Sequence, residues 1–210
     1  MRTEKIAVPF CGRHSVLYLA SQSPRRHELL RQLGFDFSIL DVDVPEHRQP
    51  GEPPEDYVSR VAREKAGAGL MQVVAVPGAV VIGADTEVVL DDEVFGKPAD
   101  AEDAMRMLRR LSGRAHRALS VVWCASAGRE ERALSDTIVD FMTLDDAQIA
   151  AYVASGEAFG KAGAYAIQGR AAAFVRHLAG SHSGVMGLPL HETAVLLRRF
   201  GLLPNTASSS

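Results

Sequence analysis

An unbroken apolar run of strand length, residues 79–84, stops at Asp85-Thr86, and no other feature limits the fold so closely. Such a run reads as a buried strand. A carboxylate at its exit stands at the carboxyl edge of a sheet, the edge at which α/β proteins bind ligands. A second strand-like run, Val16–Ala20, leads into Ser21-Gln22-Ser23. A helix follows it, with Ser23 as N-cap, Pro24 at the first helical position, Leu29, Leu30 and Leu33 on its apolar face and Gly34 as its stop. Residues 35–40 predict a strand, and the acidic, proline-rich residues 41–54 a surface loop. Residues 55–68 predict a second helix with Lys65 near its end.

Beyond Asp85, residues 87–90, Asp91-Asp92 and residues 93–95 read as strand, tight turn and strand, ending at Gly96-Lys97-Pro98. Asp100 caps a helix that Gly113 stops. Residues 116–125 and 132–144 predict a long hairpin across Gly128, and a helix from Asp145 or Asp146 ends near Gly156. Strand-like pieces at 165–167 and 174–178 precede a last helix at 190–200. Strands and helices alternate early and hairpins dominate later. The expectation is an α/β fold with a mixed, twisted sheet, flanking helices and two lobes around a cleft.

Composition excludes several classes. A chain of 210 residues, 47% apolar and with net charge −3, is ordinary for a soluble globular protein and not basic enough for a general binder of nucleic-acid polymers or anionic membranes. Cys11 and Cys124 are too few and too far apart for a zinc pattern or a disulfide framework, which fits reduced thiols in the cytoplasm. No stretch of eighteen apolar residues occurs. Residues 1–15 read as a leader that is no signal peptide, 16–203 as a single domain and 204–210 as a flexible tail. The histidines show no ligand spacing, and no serine stands in a nucleophile elbow.

Two places carry chemistry. In Ser21-Gln22-Ser23-Pro24-Arg25-Arg26 a strand-to-helix turn presents free backbone N–H groups, and two arginines in the first turn oppose the helix dipole unless an anion joins them. Either a phosphate binds there or the turn is an ordinary capped helix start with solvated arginines. A carboxylate is a weak base toward free water, and Asp85 becomes a plausible one beside a divalent metal. Its alternative is a strand-end turn. Only four lysines accompany nineteen arginines, and Lys65, Lys97 and Lys161 fall where a compact charge could meet phosphate oxygens. Glu46 is individually a weak signal.

The runs Leu19-Ala20-Ser21-Gln22-Ser23-Pro24-Arg25-Arg26, Ile82-Gly83-Ala84-Asp85-Thr86, Gly96-Lys97-Pro98 and Lys161-Ala162-Gly163-Ala164-Tyr165-Ala166-Ile167-Gln168-Gly169 resemble the Maf family of nucleotide pyrophosphatases. Ala179-Gly180-Ser181 and Val185-Met186-Gly187-Leu188-Pro189-Leu190 extend the resemblance over residues 17–200. It implies a cytoplasmic, often dimeric, metal-dependent enzyme with a fold similar to inosine triphosphate pyrophosphatases, which cleaves nucleoside triphosphates to monophosphate and pyrophosphate. On that resemblance Asp85 is the proton acceptor, with Glu46, Lys65 and Lys97 beside it. Ser21, Arg25, Arg26, Thr86, Lys161 and Gln168 meet the substrate, and Asp85 and Glu46 hold Mg²⁺ or Mn²⁺. Arg25, Thr86 and Gln168 match the positions that separate substrate subgroups, and Thr86 with Ile167-Gln168-Gly169 resembles the subgroup acting on dTTP and UTP. Gly160, Ala166 and Ala171 depart from a usual Asp, Gly and Gly. The alanines are expected in ordinary strand geometry. The competing readings are a non-catalytic nucleotide sensor linked to cell division and a pyrophosphatase for 7-methyl-GTP, CTP, ITP or other modified nucleotides.

Overall fold

The computed structural model describes residues 16–204. The leader over 1–15 with Lys5, Cys11 and His14, and the tail from residue 205, lie outside the described residues. Strand β1 (Val16–Ala20) pairs in parallel with β2 (Ser38–Leu40) and with the first part of β3 (Ala79–Leu90). Helices α1 (Pro24–Gln32) and α2 (Pro54–Gln72) make the crossovers. β5 (Ala115–Ser126), β6 (Arg129–Phe141) and β7 (Val175–Ala179) continue the sheet antiparallel in the order β2-β1-β3-β5-β6-β7. Short β4 (Glu93–Phe95) pairs with the end of β3, and α3 (Ala101–Leu111), α4 (Asp146–Ala154), α5 (His182–Met186) and α6 (Leu190–Arg199) complete the chain.

The two-residue period of a strand assigns the faces. Val80, Ile82 and Ala84 pack with Leu29 and Leu30 of α1 and Leu196 and Leu197 of α6. Val81 and Val89 point the other way, Val89 against Val58, Val61 and Ala62 of α2. A second lobe gathers the far ends of β3 and β6 with α3, α4 and Phe174, and His116, Phe141 and Tyr165 meet edge to face inside it. Among the described residues no helix is long and apolar enough to cross a membrane.

Several expectations shift, and the strand expected over 35–40 is confined to Ser38–Leu40. Residues 79–84 and 87–90 form one strand, because β5 pairs with β3 from Val81 to Val89 without a break. Asp85 is therefore mid-strand rather than at a strand end. Helix α2 continues past residue 68 to Gln72, through Gly67 and Gly69. A Cβ on Gly69 would come within 2.9 Å of Ala20 Cβ and Val81 Cγ1, so this glycine serves close packing and not helix termination. Residues 165–167 form no strand; they link two 3-10 turns, Ala162–Ala164 and Arg170–Phe174. Ser23 occupies the N-cap position of α1, yet its side chain makes no cap bond; Ser21 Oγ accepts from the Ser23 N–H instead, at 3.2 Å.

One irregularity of the sheet positions everything below. Pairing of β1 with β3 ends at Leu19 opposite Ile82, and pairing of β4 with β3 starts at Phe95 opposite Val88. Between them residues 83–87 have a strand neighbour only on the β5 side. The sheet is notched there, since the chain leaves β1 for α1 and β4 is only three residues long.

Candidate active site

The notch opens into a cleft of about 450 Å³. Ser21 to Arg26 form one wall as β1 passes into α1, Asp85 to Val88 form the floor, and Lys65 reaches in from α2. Lys97 follows β4, Glu46 comes from the loop before α2, and Phe159 to Ala162 with Gln168 close the far side. All ten expected residues, Ser21, Arg25, Arg26, Glu46, Lys65, Asp85, Thr86, Lys97, Lys161 and Gln168, line this one cleft. Asp85 lies just past the carboxyl end of β1, so the sheet edge foreseen for it belongs to the neighbouring strand.

Four side chains form a chain of charges. Lys65 Nζ donates to Asp85 Oδ1 at 2.7 Å and to Glu46 Oε1 at 2.6 Å, and Lys97 Nζ donates to Glu46 Oε2 at 2.6 Å. Burial pushes the Glu46 carboxyl up, but the hydrogen bonds and charges of Lys65 and Lys97 outweigh it and bring its pKa down to about 2. An ammonium has three donors, so Lys65 keeps one free and Lys97 two. Asp85 Oδ2 is buried and has no hydrogen-bond partner. It is the one oxygen of this chain left for an incoming group.

The opposite wall is cationic. Arg26 is held by its Nε, which donates to Gly187 O at 2.8 Å, while Nη1 reaches Ser21 Oγ at 3.4 Å. His27 Nε2 lies 2.7 Å from Ser21 O and must donate, since a carbonyl only accepts. The two contacts fix the turn, and the N–H groups of the first turn of α1 have no acceptor within the helix. Burial, and then Arg26, lowers the Arg25 pKa; burial, and then Arg25, lowers that of Lys161. Crowded cations with free N–H groups beside them favour a bound polyanion. Thr86 projects to the other face of β3, where its Oγ1 is 2.7 Å from Ser120 Oγ. Ser120 spends its proton on Gly184 O at 2.6 Å, so Thr86 is the donor. Gln168 is exposed at the rim.

Sequence reasoning missed Glu87. It shares a face with Asp85, two residues on, and is 7% exposed in the cleft. Desolvation, and then the Asp85 and Glu46 carboxylates, push its pKa well above the ordinary value. The alternation within a continuous strand was the available signal. Division of residues 79–90 into two strands at Asp85-Thr86 hides it.

The sequence signature of Maf-like proteins matches residues 16–200. The chain belongs to the Maf family. A dTTP/UTP pyrophosphatase of Xanthomonas axonopodis pv. citri (strain 306) is 61% identical over 89% of this chain and 99% of that protein. A nucleoside triphosphate pyrophosphatase of Xylella fastidiosa (strain 9a5c) is 53% identical over 88% of this chain and 98% of its own length. A solved Staphylococcus aureus Ham1 protein aligns with 60% of this chain and 72% of its own at TM-score 0.41 and 11% identity, too distant to bear on function. Within this Maf chain the three departures have clear geometry. Gly160 takes φ +68°, and a Cβ there would meet nothing within 4 Å. Ala166 and Ala171 avoid positive φ, though neither is in a strand: Ala171 is in the second 3-10 turn. Ala164 is the alanine that takes φ +58°.

Proposed function

We propose that this Maf chain hydrolyses nucleoside triphosphates, with dTTP and UTP preferred, to nucleoside monophosphate and pyrophosphate. The observation that carries this reading is Asp85: one oxygen is fixed by Lys65, and the other is buried and free in a cleft lined by five cationic side chains, Arg25, Arg26, Lys65, Lys97 and Lys161. The base preference is supported by the name of the Xanthomonas relative and by Arg25, Thr86 and Gln168 lining the same cleft.

In the proposed step, Asp85 Oδ2 accepts a proton from a water whose oxygen bonds to the α-phosphorus. The bond from that phosphorus to the α,β-bridging oxygen breaks, and its electron pair leaves with pyrophosphate. Arg26, Lys97 and the spare donor of Lys65 neutralise the charge growing on the leaving group, and the first turn of α1 orients the phosphates. Glu46 aligns the two lysines. Mg²⁺ or Mn²⁺ is the proposed cofactor. The chemistry fits, because Asp85 Oδ2 is a hard, buried, unpartnered oxygen, and such cations take one or two carboxylates and complete their shell with water and phosphate. When bound, the cation adds positive charge on the phosphates and makes water more acidic. Both Glu46 oxygens accept from lysines, so its expected place as a second ligand requires one of those bonds to open. The working form is proposed as a cytoplasmic homodimer whose residues 16–203 act as one domain.

Incubation with dTTP, UTP, CTP, GTP and ITP plus Mg²⁺, with separate assays for pyrophosphate and orthophosphate, tests the reading. Pyrophosphate, fastest from dTTP and UTP, is expected. Orthophosphate alone, or binding without any product, would overturn it; a clear preference for CTP or ITP would overturn the base assignment.

A further inference from the structure

The proposed hydrolytic step leaves one buried carboxylate of the cleft without a task. Asp85 and Glu87 are 4% and 7% exposed and project from the same face of β3. Each keeps one buried oxygen with no hydrogen-bond partner, Asp85 Oδ2 and Glu87 Oε2. No neighbouring cation fills that place. Lys65 is bonded to Glu46 and to Asp85 Oδ1, Lys97 to Glu46 Oε2, and Arg26 to Gly187 O and Ser21. A carboxylate withdrawn from water beside a second one is costly unless positive charge or donors compensate it.

Glu46 is the contrasting case. Its two oxygens are both satisfied by ammonium groups, so a cation placed on it would have to displace a lysine that is already paired. Two buried, unpartnered, hard oxygens on one strand face, carried by residues that line a cleft with room for phosphates, suit Mg²⁺ or Mn²⁺.

We propose that Asp85 and Glu87 together hold the divalent cation of this protein, and that Glu46 is a positioning residue for Lys65 and Lys97 and not a ligand. The proposal deepens the hydrolase reading and rests on it for what the cation does. Oδ2 carries two lone pairs, so Asp85 can bind the cation with one and accept a proton with the other.

Mn²⁺ serves as the probe, with free Mn²⁺ followed by electron paramagnetic resonance in the full-length protein, alone and with the non-hydrolysable α,β-methylene analogue of dTTP. Glu87→Gln keeps the shape and removes the charge; it is expected to weaken Mn²⁺ binding by about tenfold or more, whereas Glu46→Gln should change it by less than about twofold. Should Glu87→Gln fail to fold, Glu87→Asp, which withdraws the oxygens by one methylene, carries the same expected direction. Unchanged Mn²⁺ affinity in the Glu87 variants, loss of Mn²⁺ in Glu46→Gln instead, or no Mn²⁺ binding by the wild-type chain would each overturn the proposal. Wild-type protein that binds Mn²⁺ through Glu87 and yet releases no pyrophosphate from dTTP would support the site and overturn only the hydrolase reading.

Discussion

Gly83→Ala is the substitution for which the structure gives the sharpest number. A Cβ on Gly83 would stand 2.3 Å from Ala62 O, 2.4 Å from Ala66 N and 2.9 Å from Ala66 Cα, all backbone atoms of α2. Carbon needs more than 3 Å from such atoms, so helix and sheet must part by about 1 Å where the interior is close-packed. Overpacking of this kind costs about 1–3 kcal/mol, and backbone that cannot rotate aside places the cost near the upper figure. That is a sizeable part of an ordinary stability of about 5–15 kcal/mol, so the variant should fold but melt earlier. The larger effect is on the site. Lys65 lies between Ala62 and Ala66 in sequence, and its 2.7 Å bond to Asp85 spans the interface being opened. A misplacement of about 1 Å is worth about a hundredfold in rate. Chemical denaturation and pyrophosphate release measured on the same preparation read both. Gly67→Ala is the control: it is on the same helix, its Cβ would meet nothing within 4 Å, and it should raise stability by about 0.5–1 kcal/mol. Normal stability and turnover in Gly83→Ala would refute the close approach of α2 and the account of Lys65 that depends on it.

The remaining predictions concern charge and backbone. Asp85→Asn retains an oxygen for Lys65 and removes the proton acceptor, so kcat should fall by about a thousandfold with the melting temperature little changed; near-normal kcat would remove Asp85 from this role. Lys97→Ala should lower kcat by about tenfold to a hundredfold, read in the same assay, and unchanged rates would take Lys97 off the leaving group. His116 is 2% exposed, and burial pulls its pKa from 6.5 down to about 4. The unfolded chain therefore binds the proton first, so this stabilisation is complete above pH 6.5 and falls by about 3 kcal/mol as pH drops toward 4. Denaturation at pH 7 and pH 4 should show a smaller difference for His116→Phe than for the wild type, and equal differences would refute the assignment. Asp91 and Asp92 take φ of 51° and 64° at the β3–β4 turn, so Asp92→Gly should stabilise by about 0.5–1 kcal/mol in a thermal or denaturant melt.

Local signals were sufficient wherever a residue's role is set by its neighbours in the chain. Asp145 caps α4 in a reciprocal capping box with Gln148, Asp100 caps α3 by accepting from the Asp103 N–H, and Gly34, Gly113 and Gly156 take the positive φ expected of helix stops. The long hairpin was legible as well, although its second strand begins at Arg129, three residues earlier than the pattern placed it. Misreadings fell where distant segments decide. Gly69 looks like the end of a helix until the sheet it packs against is known, and Asp85-Thr86 looks like a strand end until β5 is seen to pair through it.

The sequence by itself determined the alternation of elements, ten residues of the cleft and the family, because apolar periodicity, caps and contiguous motifs act over a few residues. Only the tertiary structure decided how those residues divide their work. It notched the sheet between β1 and β4 and bound both oxygens of Glu46 to lysines. It also left Asp85 Oδ2 and Glu87 Oε2 as free, buried acceptors on one face. The physical reason is that hydrogen-bond satisfaction and desolvation depend on which groups meet across gaps of 19 to 51 residues, such as Lys65 with Glu46 and Lys97 with Glu46.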